Sequence, residues 1–159
     1  GLYNPRYLRE RLPGELERAT RYGRALSLLV IDCDNFKRIN DCYGHLEGDK
    51  VLQTLARVIQ ECLRRSDSAF RYGGEEFVVL LPETESSAAV ALADRLRGLF
   101  EAQETLMANG EIIRCTISIG VSQHVLTDTE STLIRRADNA CYVAKERGRN
   151  RVVLEDSAG

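Results

Sequence analysis

Two adjacent carboxylates, Glu75 and Glu76, follow a Gly-Gly pair in the segment RYGGEEF, which runs directly into the apolar residues VVLLP. A second acidic segment begins at Asp32, the first charged residue after the apolar run LSLLVI. Open α/β sheets collect ligand-binding groups where their strands end. If the hairpin around RYGGEEF packs beside the strand that ends at Asp32, we expect Asp32 and Glu75 to lie close together.

Such a pair of carboxylates favours a divalent cation. Two carboxylates ~4 Å apart repel by roughly 4 kcal/mol at a surface-like dielectric, and a cation between them removes the repulsion. Oxygen ligands without convergent His or Cys side chains favour Mg²⁺ or Mn²⁺ over zinc. Because Mg²⁺ commonly completes its coordination with substrate phosphates, the pattern predicts a nucleoside triphosphate as the ligand.

Structural explanations compete with this interpretation. Gly73 and Gly74 could serve a type I′ hairpin turn, which requires positive φ at both central residues. Glu75 and its neighbour would point to opposite faces of a strand, and either could simply be solvated. Asp34 lies on the same side as Asp32 by period-two geometry, but it also precedes a helical segment and could be its N-cap.

The hydrophobic pattern predicts the elements that must position these groups. Helical and strand periods alternate along the chain, with a hairpin in the middle, so we expect an α/β (α+β) fold with a central, mixed, five-stranded sheet flanked by helices. The predicted elements are a helix over 5–22 that is kinked or split at Pro13, a strand over 26–32, a short helix NFKRIND, an amphipathic helix over 51–63, the hairpin strands SAFRY and EFVVLLP, a helix over 86–103, a turn at Asn109-Gly110, a strand IIRCTISIGVS, a helix over 133–147 and a strand RVVLE.

Composition limits the class of protein. The 159 residues, 43% of them apolar, are enough for one domain with a buried core. The net charge of -2 gives no basic field, so we expect no nucleic-acid polymer as a partner. Five dispersed cysteines argue against disulfides or structural zinc and predict a reducing, cytoplasmic location. No membrane span or signal peptide is visible, and a chain that opens on Gly1 is expected to be part of a longer protein, in which a sensor or a membrane segment could precede it.

Three motifs, RYGGEEF, DCDNFKRINDCYGHLEGD and YVAKERGRN, together resemble the GGDEF domain, the diguanylate cyclase family, with Glu75 in place of the usual Asp. The resemblance covers nearly the whole chain, so we expect residues 1–159 to form a single catalytic domain with residues 1–24 as its helical lead-in. It implies a palm-like nucleotidyl cyclase fold. It also implies that a homodimer condenses two GTP molecules into cyclic di-GMP and two pyrophosphates, each 3′-OH attacking an α-phosphate.

The resemblance assigns the acidic groups residue by residue. Asp32 and Glu75 match metal-binding carboxylates, and the backbone carbonyl of Cys33 matches a further ligand. Glu76 matches an acid that either binds the second metal or activates the 3′-OH, and the sequence does not separate these roles. Two Mg²⁺ or Mn²⁺ ions are implied for each active site.

Other positions match the groups that bind GTP. Asn40 and Asp49 match the pair that recognises guanine, for which an amide and a carboxylate are complementary. Without the resemblance, Asn40 is typical of a helix end and Asp49 of an N-cap. Lys145 and Arg149 match triphosphate clamps, although cations at a helix end also favour the helix dipole. The remaining matched positions lie in loops that let phosphate approach the backbone: Phe36, Lys37, Gly73 and Gly74.

A second site is implied by Arg64 and Asp67. In the family an RxxD motif five residues before the signature binds cyclic di-GMP and inhibits the enzyme, and Arg95 matches an arginine that joins this site from another subunit. The alternative for RxxD is a solvated i,i+3 ion pair. For the whole chain, the alternative to an active cyclase is a GGDEF module that binds cyclic di-GMP or GTP without turnover, and a third interpretation is a cyclase that uses ATP.

Overall fold

The structure, a computed structural model, describes residue 2 and residues 4–155, so both ends of the predicted 1–159 domain lie partly outside the described residues. Five helices and seven strands follow one another along these residues. In chain order they are α1 (Pro5–Tyr22), β1 (Leu26–Cys33), α2 (Phe36–Tyr43), α3 (His45–Cys62), β2 (Ser68–Arg71), β3 (Glu76–Pro82), α4 (Ser86–Glu101), β4 (Thr105–Leu106), β5 (Ile112–Ile113), β6 (Ile117–Gln123), α5 (Glu130–Glu146) and β7 (Arg151–Leu154).

The main sheet has five strands in the order β2-β3-β1-β6-β7. β6 and β7 pair in parallel, whereas the other neighbours are antiparallel. The predicted mixed α/β sheet is therefore confirmed. β4 and β5 form a separate two-stranded sheet, which the sequence pattern did not predict.

β1 is buried on both faces because helices cover both sides of the sheet. One face of β1, with Leu28 and Val30, packs in a cluster with Leu8 of α1 and Ala137 of α5. The opposite face, including Ile31, packs with residues of α3 and α4. This two-sided burial explains the apolar run at residues 26–31, in which the one polar residue, Ser27, is buried and donates its hydroxyl to Thr84 O at 2.7 Å.

Two local predictions are wrong, and a third is narrowed. α1 continues through Pro13 as one helix, so of the predicted kink or split the split does not occur. Neither Gly73 nor Gly74 has positive φ. The hairpin loop is longer than a two-residue type I′ turn, since residues 72–75 separate β2 from β3 and the N–H groups of Tyr72 and Gly73 both donate to the carbonyl of Glu76, at 2.8 and 3.1 Å. The single strand IIRCTISIGVS is two strands, β5 and β6.

Candidate active site

The carboxylate-bearing ends of β1 and β3 lie side by side in the sheet. Asp32 is the register partner of Glu76, and the Cys33 N–H donates to the Glu75 carbonyl at 3.2 Å. The half-buried Glu75 also acts on Asp32 electrostatically, since its negative charge contributes to raising the pKa of Asp32. The structure thus brings Asp32, Cys33, Glu75 and Glu76 to one end of the sheet, as the sequence predicted.

Lys145, near the end of α5, contacts the first of these acids. Its Nζ lies 2.7 Å from Oδ2 of Asp32. The other carboxylate oxygen, Oδ1, is buried and has no hydrogen-bond partner among the described residues. Burial raises the pKa of Asp32, with Lys145 opposing the rise. Burial alone would lower the pKa of Lys145, but the hydrogen bond and charge of Asp32 outweigh it, so the pKa of Lys145 is raised.

A carboxylate that the sequence analysis missed, Asp138, pairs with Glu76. Burial, followed by the charge and hydrogen bond of Asp138, raises the pKa of Glu76 to about 7. Asp138 lies seven residues before Lys145 on α5, which places both on one side of the helix. Glu76 and Asp138 line an open groove of about 800 Å³ between α1, α5 and the loop at Tyr72. The spacing of two helical turns between Asp138 and Lys145 was the sequence signal that could have suggested Asp138 as a site residue.

Asp34 is not a helix cap. The N-cap of α2 is Asn35, in the left-handed conformation, and its side chain makes no capping bond. Asp34 is buried and accepts hydrogen bonds from Thr116 Oγ1 at 2.7 Å, Ser118 Oγ at 2.6 Å and the Asn150 N–H at 3.0 Å. It therefore ties the end of β1 to β6 and to the turn before β7.

The two residues matched to guanine recognition lie on neighbouring helices. Asn40 is half-buried in α2, and its carbonyl accepts the Gly44 N–H at 2.8 Å, so it also has the helix-end position foreseen as its alternative. Asp49 is exposed within α3, four residues after the helix begins at His45. Gly44 is the N-cap of α3, so the N-cap interpretation of Asp49 is wrong.

The residues matched to phosphate binding are spread around the same end of the sheet. Phe36 is the buried first residue of α2, and Lys37 beside it is exposed. Gly73 and Gly74 form the exposed tip of the hairpin loop. Arg149 is exposed in a turn in which three successive residues, Gly148 to Asn150, have positive φ (118°, 63° and 48°). The turn is held by the Arg149 N–H, which donates to Ala144 O at 3.0 Å.

The RxxD residues form a connected cluster rather than a solvated pair. The Asp67 side chain is 1% exposed; its Oδ2 accepts the Arg64 N–H at 2.8 Å and its Oδ1 accepts Arg64 Nη2 at 3.1 Å. The same Nη2 also donates to Thr84 Oγ1 at 2.7 Å. Arg95, whose Nη2 donates to Cys62 O at 3.2 Å, lines the same groove of about 490 Å³.

The described residues contain neither a membrane-spanning helix nor a metal cage built from side chains alone. Within residue 2 and residues 4–155, no helix combines the length and apolar character needed to cross a bilayer. In that same part of the chain, no three His, Cys, Asp or Glu side chains are grouped so as to hold a metal by themselves. Any metal here would need backbone or ligand oxygens as well.

Comparison with known proteins identifies the family. A family model described as "Diguanylate cyclase, GGDEF domain" matches residues 1–151. Diguanylate cyclase A of Treponema denticola is 51% identical over 131 residues, covering 81% of this chain and 35% of the relative. The chain therefore belongs to the GGDEF domain family. It spans about a third of the length of the curated relatives it matches.

Solved structures agree with this assignment. The GGDEF domain of DgcB from Caulobacter crescentus, in complex with c-di-GMP, has a TM-score of 0.94 and 30% identity, covering 98% of this chain and 92% of that one. The active GGEEF domain of a diguanylate cyclase from Vibrio cholerae has a TM-score of 0.91 and 35% identity, covering 99% of both chains. The second comparison involves a domain with glutamate at the first acidic signature position, as at Glu75 here.

Proposed function

We propose that this chain is the catalytic domain of a diguanylate cyclase, and that residues 1–159 form one such domain with residues 1–24 as its helical lead-in. The observation that carries the proposal is the pairing of Asp32 with Glu76 at one end of the sheet, with Lys145 on Asp32. The names of the relatives and the GGEEF structure support the same activity.

The acidic groups fit the two divalent cations, Mg²⁺ or Mn²⁺, that the family resemblance implies. Asp32, Glu75, Glu76 and the Cys33 carbonyl would hold them. The fit rests on Asp32 Oδ1, a buried carboxylate oxygen without a partner among the described residues. The absence there of a three-residue side-chain cage is compatible with Mg²⁺, which usually takes one or two carboxylates plus substrate phosphates. When bound, such cations neutralise phosphate charge and lower the pKa of a coordinated hydroxyl.

The chain's own cationic groups would bind the triphosphate. The ammonium group of Lys145 contacts the Asp32 carboxylate, and it could exchange this contact for one with a phosphate oxygen. Arg149, on its strained turn, is exposed and available to phosphate. Backbone N–H groups at Phe36 and Lys37, where α2 begins, would donate to phosphate oxygens, and Gly73 and Gly74 would let the substrate approach the hairpin loop.

The reaction joins two nucleotides held by two copies of the chain. Glu76 would either help to hold the second cation or take the proton of an attacking 3′-OH, the two roles that the family resemblance leaves open. The resulting 3′-oxygen bonds to the α-phosphorus of the other GTP, and the bond from that phosphorus to the bridging oxygen breaks with release of pyrophosphate. A second attack in the opposite direction closes cyclic di-GMP. A homodimer is required because each copy holds one GTP.

Two further sites complete the proposal. Asn40 and Asp49 would select guanine: the amide NH₂ suits the O6 acceptor and the carboxylate suits the N1–H and N2–H donors, whereas adenine would leave both groups unpaired. Arg64 and Asp67 would bind cyclic di-GMP as a feedback inhibitor in the groove that they line, and Arg95 of another subunit would join this site, as the family resemblance implies. Arginine can fork onto phosphate and stack on a base, which suits this ligand.

The direct test is product analysis with GTP and Mg²⁺ over a range of protein concentrations. We expect cyclic di-GMP and pyrophosphate, with specific activity rising as concentration increases because the active form is a dimer. ATP in place of GTP should give little product. GTP binding without product at any concentration would instead identify a binding module, and equal use of ATP would contradict the guanine assignment.

A further inference from the structure

The close approach of α2 and α3 at Gly48 leaves no room for a side chain. A Cβ atom added to Gly48 would lie 2.0 Å from Asn40 Oδ1 and 3.0 Å from Phe36 Cζ. Gly48 is buried in the first turns of α3, where glycine is a poor helix former compared with alanine. The residue therefore lowers the stability of its own helix, and the contact with Asn40 explains why no larger residue fits.

This contact fixes the direction of the Asn40 amide. Oδ1 is buried against Gly48 and has no hydrogen-bond partner among the described residues. Because a Cα–Cβ bond is about 1.5 Å long, Oδ1 lies within about 3.5 Å of the Gly48 Cα, the range of a Cα–H···O contact. The opposite orientation would set an N–H donor against the Gly48 Cα–H, which is a weak donor and cannot accept a hydrogen bond. The NH₂ end is accordingly directed away from Gly48.

We propose that Gly48 is a positioning residue for base selection: by having no Cβ, it holds the Asn40 amide with its oxygen inward and its NH₂ presented to the nucleobase. This inference rests on the proposed function. It identifies an acceptor at the base position, such as the O6 of guanine or hypoxanthine, as the group selected through Asn40. Phe36, the first residue of α2, lies one turn before Asn40. The absence of a Cβ at Gly48 therefore also leaves room for the Phe36 ring.

The test compares Gly48→Ala with the matched control Gly98→Ala, since an added Cβ at Gly98 in α4 meets nothing within 4 Å. Dissociation constants for a non-hydrolysable GTP analogue, and KM and kcat for GTP, ITP and ATP, are measured for each variant. Gly48→Ala should weaken GTP binding about tenfold. ITP keeps the O6 acceptor, so its binding should weaken by the same factor, and the preference of the protein for GTP over ATP should decrease. The effect should appear mainly in KM. Gly98→Ala should bind like the wild type.

A double-mutant cycle separates positioning from general damage. In an Asn40→Ala background, Gly48→Ala should cause little further loss of affinity, because the clashing oxygen is gone and only the milder contact with Phe36 remains. If Gly48→Ala fails to fold, recovery of folding in the double variant still supports the contact. Equal losses with and without Asn40, or an unchanged Gly48→Ala variant beside a weakened Asn40→Ala variant, would overturn the inference alone. A wild-type chain that binds no GTP would overturn the proposed function and this inference with it.

Discussion

The ammonium group of Lys145 lies 2.7 Å from the carboxylate of Asp32, at the point where β1 ends beside β3. Both side chains are largely buried, with 31% and 17% of their surfaces exposed. Without a bound ligand, Lys145 is thus the cation that balances Asp32. Under the proposed function, the same lysine would move to a phosphate oxygen when substrate binds.

Replacement of Lys145 should therefore destabilise the ligand-free protein. We expect Lys145→Met to lower the free energy of unfolding by about 1–2 kcal/mol, because Asp32 is left partly buried without a counter-charge. Denaturant unfolding measures the change. The double variant Asp32→Asn/Lys145→Met should recover most of it, and Arg6→Met, which breaks the exposed pair with Glu10, should have little effect. A loss in the double variant as large as in Lys145→Met would contradict a direct pair.

Asp34 should be a structural residue rather than a ligand. Asp34→Ala removes the acceptor of three hydrogen bonds from residues in or next to β6 and β7. We expect a loss of about 3 kcal/mol or more in unfolding free energy, since each buried donor left unpaired costs about 1–3 kcal/mol. Asp41→Ala, at an exposed position of α2, is the matched control and should change stability by less than about 0.5 kcal/mol. A mild effect of Asp34→Ala would show that the three donors find other partners.

The Glu76–Asp138 pair should make stability depend on pH. An ordinary glutamate titrates near 4.5, whereas the folded-state pKa of Glu76 is about 7. Between these values the unfolded chain releases a proton that the folded chain retains, so the stabilising contribution of protonated Glu76 is lost as the pH rises from about 4.5 to 7. Glu76→Gln cannot ionise. In metal-free buffer, the variant should gain stability relative to the wild type on going from pH 5 to pH 8, by roughly 1 kcal/mol after allowance for solvent exposure.

Paired denaturant titrations at pH 5 and pH 8 measure this difference. Asp138→Asn should also reduce the pH dependence of the chain, because it removes the neighbouring negative charge. A stability difference between Glu76→Gln and wild type that is the same at both pH values would show that Glu76 titrates normally.

Arg64 should control product inhibition. Arg64→Ala removes the guanidinium that joins Asp67 to Thr84 in the 490 Å³ groove. We expect the inhibition constant for cyclic di-GMP to rise at least tenfold, while the initial rate changes by less than about twofold, because the groove is separate from the Asp32–Glu76 site. Arg65→Ala, at the adjacent exposed residue, should leave inhibition unchanged. Tight cyclic di-GMP binding that persists in Arg64→Ala would exclude this groove as the inhibitory site.

The parts of the fold that the sequence predicted well are those that carry a strong local pattern. The apolar run before Asp32 predicted a doubly covered strand, and the two apolar segments around the Gly-Gly pair predicted the hairpin that brings Glu76 beside Asp32. β4 has two residues, too few for a detectable period, and was missed, whereas β5, also of two residues, was merged with β6 in one predicted strand. The predicted type I′ conformation of the hairpin loop was wrong because the length of the loop, and not its glycine content, determines its conformation.

The site residues that escaped prediction depend on distant contacts. Asp34 looked like a cap because its neighbours in sequence allow one, yet its partners are 82, 84 and 116 residues away. The spacing from Lys145 puts Asp138 on the same side of α5, but the contact of Asp138 with Glu76 depends on how α5 packs across β1 and β6, which no local pattern encodes. The family motifs supplied the remaining site assignments, which composition and periodicity alone left open.

The central claim is that Asp32 and Glu75 bind a divalent cation beneath the triphosphate, and Mn²⁺ binding tests it most directly. Electron paramagnetic resonance can follow the binding of Mn²⁺ with a non-hydrolysable GTP analogue to the wild type, Asp32→Asn and Glu75→Gln. We predict saturable, nucleotide-dependent Mn²⁺ binding to the wild type that weakens at least tenfold in both variants, together with loss of cyclic di-GMP synthesis. Mn²⁺ affinity that is the same in all three proteins would contradict it.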